Sequence, residues 1–177
     1  YNKGAWAMWM LQQEMGRENT LAGLRAFIER YRENPDHPVI QDMLAVLRDF
    51  APDTAAFDAL TEQWYFEVVL PEYRLSDVTK VREGDEWVVR GTVENVGTGR
   101  MRVKVGAVAG ERWSDEGDDR DRSVVVEGYR DARAVVEVGA GEAAEFVIRA
   151  GFEPERVVID PDVLVLQRGR GEAVFEW

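Results

Sequence analysis

The chain has no cysteine and a single histidine. Without cysteine there is no disulfide and no thiolate metal site. One histidine cannot build a zinc site, which takes several His or carboxylate ligands and an open coordination position. That histidine, His37, stands in Asn34-Pro35-Asp36-His37-Pro38, the composition of a loop between helices. No apolar run reaches the length of about eighteen residues that crosses a bilayer as a helix. The paired glycines Gly97-Thr98-Gly99 and Gly169-Arg170-Gly171 stop short of G-x-G-x-x-G, so they make no nucleotide loop. Positive charge is scarce: 22 Lys and Arg stand against 34 Asp and Glu, a net charge of −12. The deficit runs through both halves, so neither is a basic arm. An acidic surface repels phosphate backbones and argues against nucleic acid as a partner. Absence of cysteine suits either side of a membrane and sets no compartment.

What is present is an ordinary apolar share, 45% of 177 residues, enough for one large or two small domains. The most unusual stretch comes first, Tyr1-Asn2-Lys3-Gly4-Ala5-Trp6-Ala7-Met8-Trp9-Met10, followed by Leu11 to Met15. At 100° per residue, Trp6, Trp9 and Met10 fall on one side of a helix and Met8, Leu11 and Met15 on the other. A helix that is apolar nearly all round belongs inside a protein. The chain supplies nothing upstream to surround it and starts on Tyr rather than Met. The expectation is a piece of a longer polypeptide, with the break beside the chemistry. Its bare indoles should then drive self-association through Trp6 and Trp9, because two exposed tryptophans approach the largest apolar patch a monomer tolerates, about 300–600 Å².

Further along, the apolar spacing predicts short antiparallel helices. The first runs from about Lys3 to Met15, with Gly16 after it. The second runs from Glu18 to Arg32 with Leu21, Leu24, Phe27, Ile28 and Tyr31 on one face, and Asn34-Pro35 ends it. A third begins near Pro38 and carries Val39, Ile40, Met43, Leu44 and Leu47. A fourth, capped by Asp53, carries Phe57, Leu60 and Trp64. The plain reading of each stripe is core packing. Near Pro71 the period changes from 3.6 to 2. Weak alternation over Tyr73 to Thr79 is followed by strands at Trp87–Val93, Met101–Val108, Val124–Val126, Arg133–Val138, Ala144–Ile148 and Val157–Ile159. A closing pair is expected at Val163–Leu166 and Ala173–Phe175, and Asn95 to Gly99 reads as a hairpin turn. The fold class is therefore α+β. A helical part of about four helices over residues 1–70 precedes a separate Ig-like antiparallel β-sandwich of about seven strands over 71–177.

Tyr-x-Lys-Gly running straight into an apolar helix resembles the zinc aminopeptidases of the membrane-alanyl-aminopeptidase type, a gluzincin family. The likeness continues through the helix of Leu21, Leu24, Phe27 and Tyr31. It ends on Phe57, Trp64 and Pro71-Glu72-Tyr73, similar to the family's exit from its catalytic domain. It covers about the first seventy residues well and the sandwich loosely. The resemblance implies that Tyr1 is catalytic. As metal-bound water attacks the peptide carbonyl, a protonated phenol donates to the developing oxyanion. Losing such a donor costs about 2.7–4 kcal/mol.

The family's zinc ligands, H-E-x-x-H and a distal Glu, are absent from this sequence. The resemblance therefore puts zinc in the parent protein and none in this chain. It gives the chain two partners: the upstream part of the same polypeptide, and peptide substrates in the parent. The chain alone should be inactive. The alternative is a relative that has lost catalysis and uses its sandwich as a scaffold or protein-binding module. Two charged features have plainer readings. Lys3 reads as a first-turn residue facing solvent or a carboxylate. The run Ser114 to Asp121, around Asp118, lacks the alternation and closing Glu of an EF-hand and reads as a solvated loop.

Overall fold

Short loops between four amphipathic stripes leave little choice but antiparallel helices. The computed structural model, which describes residues 2–33, 37–112 and 126–177, has four α-helices there: α1 (Asn2–Met15), α2 (Arg17–Tyr31), α3 (Ile40–Arg48) and α4 (Thr54–Thr61). A single π-helical turn, Glu62–Phe66, extends α4. The chain divides into two compact units, a helical one up to Val69 that also takes in Leu164–Leu166, and one made of the remaining residues.

In the helical unit, Ala7, Met10, Leu11 and Met15 of α1 are buried, together with Leu44, Leu47, Phe57, Leu60 and Trp64. Each buried Leu, Met or Phe among them contributes about 1.5–3 kcal/mol. The α2–α3 crossing is close because position 23 is glycine. A β-carbon there would lie 2.7 Å from Leu47 Cδ2. Asp53 caps α4 as its sequence predicts, accepting from the Ala55 and Ala56 amides at 3.0 Å. Arg48 and Asp58 then tie α3 to α4 through two bonds of 2.7 and 2.8 Å.

α1 is not enclosed all round: Trp9 is 42% exposed, in keeping with the bare indole expected there. Two expectations need correction here. α2 buries only Thr20 and Gly23 fully, and Ile28 of its apolar face is 62% exposed. α3 starts two residues beyond Pro38, because the Val39 amide is taken by the Asp42 carboxylate at 2.9 Å, which caps the helix there. Val39 and Ile40 are consequently exposed rather than core.

The second unit is a β-sandwich. Its described strands are β1 (Tyr73–Glu83), β2 (Glu86–Asn95), β3 (Met101–Ala109), β4 (Arg130–Val138), β5 (Ala143–Ala150), β6 (Arg156–Ile159) and β7 (Val174–Glu176). They form two antiparallel sheets, ordered β1-β2-β5 and β4-β3-β6-β7. Alternate residues face the core: Val136 and Val138 on β4, and Phe146, Ile148 and Ala150 on β5. Glu83 pairs with Glu86, so β1 and β2 close on a two-residue turn with Gly84 at φ 65°.

Asn95 to Gly99 is not a hairpin turn, because β2 and β3 lie in different sheets. Buried Asn95 organises a crossover instead. Its Oδ1 accepts from the Gly97 amide at 3.0 Å and the Glu72 amide at 3.3 Å, and its Nδ2 donates to the Gly99 carbonyl at 2.9 Å. Val163–Leu166 is not a strand. Val163 has φ 56°, outside the extended region, and its amide closes a turn on the Asp160 carbonyl at 3.0 Å. At the C-terminal end, Ala173 closes a 3-10 turn and β7 begins one residue later. Of the run at 124–126 only Val126 is among the described residues, and it is in no strand.

Candidate functional site

The residue that the resemblance makes catalytic, Tyr1, lies outside the described residues, immediately ahead of α1. The described residues that follow it in α1, and those packed against them, are these. Lys3 is in the first turn of α1 and half-buried. Its ammonium donates to the Glu67 carbonyl at 2.8 Å and stands 5.8 Å from the ring centroid of buried Trp64. The expected carboxylate partner is thus a backbone oxygen, 64 residues away in sequence. That oxygen is one residue past the π-turn, where helical carbonyls run out of partners.

Around Met8 the helix is fastened again. Tyr65, on the π-turn, donates its hydroxyl to Met8 Sδ at 3.0 Å. Burial pushes the Tyr65 hydroxyl up to about 12, so it remains a donor throughout the neutral range. Between and opposite these contacts α1 leaves a face open. Gly4 and Ala5 are exposed, and Trp9 lies one turn beyond Ala5 on the same side. The sequence pointed to Lys3 and Trp64 separately. Neither the Glu67 carbonyl nor the Met8–Tyr65 pair carries a sequence signal, since a backbone acceptor and a thioether have no motif.

The described residues do not fit a zinc site. His37 is exposed, and no group of three or more metal-binding side chains is found among them. The acidic run around Asp118 lies outside the described residues.

Two polar clusters mark the sandwich. Asp162 accepts from Arg112 and Arg133 and lies 3.5 Å from Lys104, while Arg133 also holds Asp131. Partial burial alone would lift the Asp162 carboxyl. The bonds and charges of Arg133 and Arg112 outweigh it and hold the group at about 2. Lys80 lies 4.5 Å from the Trp177 ring and 5.5 Å from Trp87, and donates to the Pro154 carbonyl at 2.8 Å. Tyr73, from the Pro71-Glu72-Tyr73 step, is fully buried, and burial followed by the charge of Asp160 drives its hydroxyl well above the ordinary tyrosine value. All of these contacts hold strands and turns together.

No protein-family model and no curated protein matches the chain. Among solved structures, the CARDB domain of a Pyrococcus furiosus protein, determined with di-metal ions, is similar over 61% of this chain and 87% of its own, at 13% identity and a TM-score of 0.37. A beta-glucosidase from Streptomyces venezuelae is similar over 48% of this chain at 18% identity and a TM-score of 0.32. Beta-glucosidase 3B from Thermotoga neapolitana is similar over 52% at 15% identity and a TM-score of 0.31. The chain spans 10% of the Streptomyces enzyme and 14% of the Thermotoga enzyme.

Proposed function

We propose that this chain is the C-terminal part of a zinc-dependent aminopeptidase, comprising the helical end of the catalytic domain and a β-sandwich. The observation that carries the reading is the ordered series Tyr1-x-Lys3-Gly4, Trp64 and Pro71-x-Tyr73. It is supported by two members of that series, Lys3 and Trp64, meeting at the start of α1. In this reading zinc and its ligands belong to the upstream part of the same polypeptide, which is also the partner of the open face of α1. The substrates are peptides with a free N-terminus. Tyr1 donates its phenolic proton in a hydrogen bond to the oxygen on which charge collects as the peptide carbonyl is attacked.

The test is hydrolysis of an aminoacyl reporter amide by the full-length polypeptide, with and without a chelator. Expected are chelator-sensitive activity and a fall in kcat of about 10²–10³-fold in Tyr1→Phe, with KM nearly unchanged. Activity in Tyr1→Phe equal to the parent's removes the role of Tyr1. A full-length protein that neither retains zinc nor cleaves the reporter makes the chain part of a scaffold or binding module instead.

A further inference from the structure

The geometry points to Lys3 as a positioning residue, one that fixes the entry of the chain into α1 by bracing its first turn against the end of the π-turn. The catalytic consequence drawn below rests on the aminopeptidase reading, but the brace itself does not.

A helix start is loose unless its first turn finds partners, because the first four amides have none within the helix. The first turn of α1 carries no acidic side chain to complement those amides. What it carries is Lys3, whose ammonium spans to the Glu67 carbonyl at 2.8 Å. The acceptor is well chosen on physical grounds. Glu67 has left the helix, with φ −112° and ψ 169°, so its carbonyl is not consumed by a further turn. A cation beside the last carbonyls of a helix is also favoured by the helix dipole. The ring of Trp64, 5.8 Å from Nζ, adds a cation–π contact from a side chain that is itself buried in the core. The amine is thus held by a backbone atom just past the π-turn and by a buried ring within it. Tyr65 to Met8 repeats the fastening further along the same helix.

Lys3 is two residues from Tyr1. A catalytic donor misplaced by about 1 Å can lose about a hundredfold in rate, so in the aminopeptidase reading a loosened first turn of α1 lowers the rate through Tyr1. Lys3→Met keeps an unbranched side chain one atom shorter and removes the charge and the donors. Lys3→Arg keeps both.

Two measurements test this. In the 177-residue chain, hydrogen exchange at the Trp6 and Ala7 amides, the first whose helical acceptors lie in the braced turn, should quicken about tenfold or more in Lys3→Met and return towards the parent rate in Lys3→Arg. Unchanged exchange in Lys3→Met overturns the brace. In the full-length polypeptide, Lys3→Met should lower kcat about tenfold to a hundredfold with KM within about twofold, and Lys3→Arg should recover most of it. The same change made on top of Tyr1→Phe should cost less than about twofold more, since the two residues then act as one unit. Full additivity of the two losses overturns action through Tyr1. An inactive full-length parent together with quickened exchange in Lys3→Met rejects the peptidase reading and upholds the brace.

Discussion

At position 97 an added β-carbon would stand 2.4 Å from the Glu72 amide nitrogen and 2.5 Å from the Leu70 carbonyl oxygen. Both are backbone atoms, so neither can rotate aside. Relief would require parting the Leu70–Glu72 segment from the crossover, which is joined to it by the Thr98 amide to the Leu70 carbonyl at 3.2 Å and the Val96 amide to the Glu72 carbonyl at 2.9 Å. Gly97→Ala should therefore destabilise the sandwich by about 2–3 kcal/mol, near the upper end for overpacking, read as a lower urea midpoint at constant slope. An unchanged midpoint would mean that the crossover yields freely. Asp162 gives a second residue-level expectation. Its carboxyl is depressed from an ordinary 3.8 to about 2 in the folded chain. A depressed acid contributes stability above its unfolded value and loses it as pH falls through the folded one. The loss belongs between about pH 4 and pH 2, and with solvent screening it is on the order of 1 kcal/mol. Asp162→Asn should flatten that part of the stability–pH curve relative to the parent. A curve of the same steepness in both proteins would place the acid sensitivity elsewhere.

Elements were legible in the sequence where one local rule sufficed. The i, i+3, i+4 stripes gave four helices, and Asp53 gave the start of α4, because both signals act within a turn or two. What the sequence hid was decided by partners distant in the chain. Asn95-Val96-Gly97-Thr98-Gly99 has the composition of a hairpin, but Asn95 spends its carbonyl on the Glu72 amide as well as on its own loop, and the chain crosses between sheets. Leu164 to Leu166 has the composition of a strand, yet the turn at Asp160 to Val163 sends it to the helical unit. The site was legible to the same degree. Lys3 and Trp64 stand out as motif members, whereas the Glu67 carbonyl that joins them has no sequence signature. On α1, the exposed Trp9 carries an expectation of its own. An indole 42% exposed, one turn from exposed Ala5, offers apolar surface. The isolated 177-residue chain should show a sedimentation coefficient that rises with concentration, and Trp9→Glu should abolish the rise without altering the helical circular dichroism. A parent chain that stays monomeric at high concentration would sink that expectation.

The chain as a whole has two cores, and the helical one is not contiguous in sequence. Residues up to Val69 are joined there by Leu164–Leu166, contributed from nearly a hundred positions later. Val165 is the buried member of that segment, 5% exposed. Its burial means that the helical unit is completed only after most of the sandwich has been synthesised. A stop after Val69 would leave it lacking a side chain that the sequence pattern assigns to a β-strand. Removing two methyl groups from a buried valine costs their transfer free energy plus a cavity term, together about 2 kcal/mol. Val165→Ala should therefore lower the midpoint at which helical ellipticity is lost, although the substitution lies among the strands in sequence. The matching change in the sandwich core, Val93→Ala, at a position fully buried on β2, should act first on the β-sheet signal. The contrast between the two variants is the informative quantity, since both remove the same atoms. If Val165→Ala left the helical transition where it was, the segment would not belong to the helical core. If both variants moved both signals equally, the chain would unfold as one cooperative body despite its two cores.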